Sequence, residues 1–170
     1  MMLSLRCAAL LLPLALGTAV PAAAADACDA LTARMIRATG ASLAGREGAR
    51  AVFRAADAER MSLDCRAHRM VFSALEREPG RRYYELVGLA AGVLTGAKPE
   101  AVEALALDLH QGALIAGQPQ QGIAGRAALR CETAPDADPF ASPRTRCVLV
   151  PSARAVLRRR AGLFASARAG

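Results

Sequence analysis

Cys28, Cys65, Cys131 and Cys147 constrain this chain more than any other feature, because of what precedes them. The N-terminus reads MMLSLRCAALLLPLALGTAVPAAAADAC. Arg6 gives a positive start, Cys7 to Val20 form an apolar run too short to span a bilayer comfortably, and Ala23-Ala24-Ala25 offers a cleavage-site pattern. Residues 1–25 are therefore expected to be a secretory signal peptide, with Asp26 the first mature residue. Cys7 leaves with that leader. A lipoprotein anchor does not fit, since Cys28 follows Ala-Asp-Ala without the usual leucine. An even number of cysteines in an exported chain reads as disulfides, because that compartment oxidises thiols. The expected location is a bacterial periplasm, in preference to the extracellular medium.

Four cysteines permit three connectivities. Sequence proximity favours Cys131 with Cys147, which leaves Cys28 with Cys65. In IAGRAALRCE, Ile123, Ala127, Leu129 and Cys131 are expected on one strand face, with Arg126, Arg130 and Glu132 on the other. TRCVLV is β-branched and apolar enough to be the antiparallel partner. A bond across the pair closes a ring of about 17 residues and contributes on the order of 3 kcal/mol. Other uses of the cysteines fit less well. Cys65 and His68 have C-x-x-H spacing, but the second close-spaced pair of a zinc site is missing. There is no C-x-x-C for thiol exchange and no C-x-x-C-H for haem attachment. Neither a metal nor a cofactor is expected.

Removing the leader leaves about 145 residues, enough for one domain with a real core. The expected organisation is a single domain over residues 26–151 followed by a basic tail or helix over 152–170. DACDALTARMIRATG reads as a first helix capped by Asp26 or Asp29 and ended by Gly40. Residues 47–61 are rich enough in alanine to be helical. The alternation of Met61, Leu63 and Cys65, with Gly45 and Gly48 as punctuation, favours short antiparallel strands instead. Pro79 and Gly96 bracket a helix with Tyr83, Leu86, Ala90, Val93 and Leu94 on its face. Pro99 opens a second, with Val102, Leu105, Leu109 and Ala113. The fold class is α+β: a small antiparallel sheet with an N-terminal helix and a central helical hairpin on one face, held by two disulfides.

Chemistry is sparse. His68 and His110 are the only histidines, and no nucleophile elbow, phosphate loop or H-E-x-x-H accompanies them. Asp108 is two residues from His110 and so points away from it on a helix. No catalytic residue is assigned; the enzyme alternative is a histidine, His68 or His110, working with a nearby carboxylate. Binding has better material. Arg81, Arg82, Tyr83 and Tyr84 crowd one helix start, and arginine and tyrosine are common interface anchors. All but one of the 22 basic residues are arginine, a bias that GC-rich coding would also produce. The net charge of +7 falls by one when Arg6 leaves. The tail, if helical, carries Val156, Leu163, Phe164 and Ala167 on a stripe with Arg158 and Arg159 turned away, a pattern suited to an anionic envelope surface. Nucleic acid is a poor partner for an exported chain without an aromatic-interleaved basic patch. No further run approaches transmembrane length. The functional expectation is a non-catalytic binding or interaction module whose partner is another periplasmic protein or an anionic envelope surface.

Overall fold

Alternation of apolar and polar residues decides the architecture. In Arg50-Ala51-Val52-Phe53-Arg54 every second residue is buried, and the same holds for Met61 and Leu63, for Met70 and Phe72, and for Thr145, Cys147 and Leu149. Period-two burial makes strands with one wet face. The computed structural model describes residues 22–134 and 144–153. Residues 1–21 of the expected signal peptide, and the basic segment holding Arg158 and Arg159, lie outside the described residues.

The order is α1 (Ala22–Thr39), β1 (Ser42–Glu47), β2 (Arg50–Ala55), β3 (Ala58–Asp64), β4 (Arg69–Ala74), α2 (Arg81–Thr95), α3 (Pro99–Ala116), β5 (Gln120–Ala124), β6 (Ala127–Thr133) and β7 (Thr145–Pro151). The seven strands form one sheet in the order β1-β2-β3-β4-β7-β6-β5, antiparallel at every step. Residues 47–61 are strands, as the alternation indicates. The last described strand, β7, thus lies between β4 and β6.

The helices cover one face. Met35 of α1, Tyr83 and Val87 of α2, and Val102 and Ala106 of α3 share a core with Phe53, Met61, Phe72, Leu129 and Leu149 from the sheet. α2 and α3 form the expected hairpin, and glycine sets how closely they approach. A Cβ on Gly88 would lie 2.5 Å from the Pro99 carbonyl oxygen, so only glycine fits that crossing. Both helices end on a left-handed glycine, Gly96 at φ 67° and Gly117 at φ 63°.

Both disulfides are present: Cys28–Cys65 and Cys131–Cys147. Cys131 and Cys147 stand directly opposite on β6 and β7, with their Cα atoms 4.2 Å apart. Cys28–Cys65 ties α1 to the turn after β3.

Two local expectations are corrected. Residues 123–131 do not form one strand: Ala124 pairs with Ala127 across a two-residue turn, Gly125-Arg126, with Gly125 at φ 59°. Glycine at the first turn position permits this reversal, and Ile123 consequently lies on the wet face, 49% exposed, opposite Ala128. Helix α1 runs from Ala22, so it starts inside the segment expected to be cleaved, and Asp29 does not cap it but pairs with Arg46 of β1. His110 is buried, at 3% exposure.

Candidate functional site

The sheet face turned away from the helices carries no described element. Strand register sorts its side chains into three rows running across the strands. The middle row is Val52, Ser62, Val71 and Val148, paired in turn from β2 through β3 and β4 to β7, and it continues through Arg130 of β6 to Gln121 of β5. One flank holds Arg50, Asp64 and Arg69, paired in the same sequence. The other holds Arg60, Ser73, Arg146 and Glu132, with Arg54 beside Arg60 at an irregularity in β2. The result is a trough. Its floor is small over four strands, three valines interrupted by Ser62, about 15 Å at the usual strand spacing, and its rims mix arginines with Asp64, Glu59, Glu132 and Val150. Two adjoining hollows of about 590 and 640 Å³ occupy this face and share Arg69 and Arg146.

The rim charges are unequally satisfied. Glu132 holds Arg146 at 3.2 Å and Arg130 at 3.5 Å. Asp64 accepts the backbone N–H groups of Arg66 and Ala67, each at 3.0 Å. Those bonds, led by Ala67 and helped by the charges of Arg50 and Arg66, hold its carboxyl below the ordinary value of 3.8. These two carboxylates are therefore occupied by local partners, while a third acid, Glu59, lines the same hollow. Among the described residues, Arg54, Arg60 and Arg69 make no hydrogen bond or ion pair within 4 Å. Three uncommitted guanidinium groups thus surround the Ser62–Val71–Ser73 end of the floor.

The four residues at the start of α2 divide. Tyr83 and Tyr84 are 1% and 3% exposed, and the Tyr83 hydroxyl donates to the Phe72 carbonyl at 3.2 Å. Arg81 stays in solvent, beside Glu85 at 3.2 Å and Glu103 at 3.1 Å, and Arg82 is exposed. Helical geometry explains the split, because a core-facing stripe wide enough for two neighbouring tyrosines leaves the preceding two residues outside. Arg81 and Arg82 nonetheless line one hollow with Tyr83, and Arg81 lines another with Tyr84 and His110, the tyrosines contributing little exposed area to either.

The chain matches no protein-family model, no curated protein and no solved structure. Its chemistry rests on its own residues.

The histidines lie apart in role and place. His68 is exposed in the β3–β4 turn in a left-handed conformation, φ 46°. His110 bonds through Nε2 to the Arg77 carbonyl at 2.8 Å, an oxygen that Thr145 Oγ1 also reaches at 2.8 Å. A carbonyl can only accept, so Nε2 carries the proton and both groups fasten the segment that leads from β4 into α2. Among the described residues no group of three His, Cys, Asp or Glu side chains is placed to hold a metal ion. No described helix is long and apolar enough to cross a membrane.

Sequence reasoning singled out none of the trough residues. The signal was present in two stretches: RAVFRA and RMVFSA each set charged or hydroxyl residues opposite buried ones. What the pattern lacked was the strand order that lines those residues up.

Proposed function

We propose that the mature chain is an exported periplasmic binding module, non-catalytic, that presents the uncovered face of its sheet to a partner. One observation carries the reading: among the described residues, no element covers a broad face of mixed valine, serine and uncommitted arginine, while three helices crowd the opposite side. Antiparallel sheets tolerate one wet face, but such faces are usually polar throughout. An excess of arginine over acid beside a row of valines fits the arginine enrichment of contact surfaces. The two disulfides support residence in an oxidising compartment.

The reading is tested in the native envelope with a photo-crosslinking amino acid at Val71, on the trough floor, or at Arg37, on the exposed side of α1. A discrete adduct from position 71 that is missing at position 37 is the expected result. Equal adducts from both positions, or none from position 71, would remove the face from consideration.

A further inference from the structure

We infer that the trough seats an acidic amphipathic helix of another protein, apolar along one ridge and bearing carboxylates on both flanks; this rests on the open face being the binding surface. The rims run parallel on either side of the valine row, each two residues from it along the strands. Two residues of strand are about 7 Å, so the rims stand about 13 Å apart at the backbone. An α-helix with its side chains is about 10–12 Å across, which fills that width. A ridge of leucine or valine would cover Val52, Val71 and Val148, while flanking carboxylates would reach Arg69 on one side and Arg54 and Arg60 on the other.

Other anions match less of the surface. A lipid presents charge at one end, whereas these cations lie along both sides of the floor. An anionic polysaccharide has charge throughout but no apolar ridge to meet the valines. An extended peptide alternates its side chains up and down, so acids placed opposite an apolar edge would point to solvent rather than to the rims. The chain's own segment after Ala153 contains five arginines and no acid, so it repeats the charge of the rims instead of opposing it. Arginine is also the cation best suited to the task, since its planar fork takes a carboxylate through two hydrogen bonds.

The experiment uses the oxidised mature chain and a fluorescent helical peptide of roughly 14 residues, about 21 Å long, with a leucine ridge and glutamate flanks. Binding by anisotropy is expected, weakening as salt rises, and falling by about tenfold or more in a double Arg60→Gln/Arg69→Gln variant. Both side chains are exposed, so this variant should keep its fold; an unchanged circular dichroism spectrum confirms that. A peptide with lysine flanks should not bind, and one with a serine ridge should bind at least about tenfold more weakly. Equal binding by the serine-ridge peptide or by polygalacturonate would reduce the trough to a charge patch and overturn the inference. So would binding only to phosphatidylglycerol vesicles, or peptide binding that Arg60→Gln/Arg69→Gln leaves unchanged. If position 71 crosslinks in the envelope while every acidic peptide fails, the face stands and the assignment of its occupant falls. If both fail, both fall.

Discussion

Tyr83 and Tyr84 are adjacent in sequence and pack edge to face, with ring centroids 5.3 Å apart. Burial pushes the ionisation of both well above the ordinary phenol value of 10, and the neighbouring Tyr84 and Glu78 charges add to it for Tyr83 and Tyr84 respectively. The neutral phenol is thus favoured by folding. Its contribution is complete below about pH 10 and is lost as the pH rises above that, where the unfolded chain ionises first. In an alkaline titration, tyrosinate absorbance should appear together with loss of the helical signal. Tyrosinate forming near pH 10 in a chain that remains folded would contradict the burial. His110 offers a second single-residue test. Replacing it with alanine removes one of the two donors on the Arg77 carbonyl and should cost about 1–3 kcal/mol in a urea melt. The tyrosine burial was open in the sequence, because neighbouring tyrosines on a helix can divide between core and surface. The His110 bond was not readable at all, since its partner is a backbone atom 33 residues away.

Among the elements, the two disulfides do different work. Cys131–Cys147 joins neighbouring strands already held by seven register pairs, from Ala127 with Pro151 to Thr133 with Thr145. Cys28–Cys65 is the covalent tie between a helix and the sheet's β3–β4 turn, and it spans 37 positions. In the chain-entropy estimate the longer loop contributes about 4 kcal/mol against about 3 for the shorter. Replacing Cys28 and Cys65 by serine should therefore lower the urea midpoint more than replacing Cys131 and Cys147, with α1 the first element to lose amide protection. The reverse order would show that β6–β7 pairing depends on its staple. Helix boundaries and the hairpin were legible from Pro99, Gly96 and the apolar spacing. The β5–β6 turn was missed because IAGRAALRC keeps an apolar rhythm through Gly125, and only the pairing of Ala124 with Ala127 reveals the reversal.

For the molecule as a whole, fold class followed from patterns within single strands and helices, whereas strand order and the trough did not. A row across the sheet collects residues such as Val52, Val71 and Val148, far apart in the chain, and no local window contains it. The leader and tail remain the parts to settle by experiment. Intact-mass analysis of envelope material should find a chain starting at Asp26; retention of residues 1–25 would contradict export by cleavage. Removing everything after Pro151 should abolish any salt-sensitive sedimentation with anionic vesicles while leaving the trough intact. Equal sedimentation of the shortened chain would clear the tail, with Arg158 and Arg159, of that role.

The position of β7 carries a consequence in time. It is the last of the described strands to be synthesised, yet it separates β4 from β6 and pairs with both. Until it arrives, the chain holds a four-strand piece and a two-strand piece, each with an open edge of unsatisfied backbone groups. Assembly then waits on an insertion between them, a long-range step of the kind that slows folding. A nascent chain stalled before Thr145 should therefore resist completion and be prone to pairing with its neighbours, and whatever attends it before release must guard those two edges.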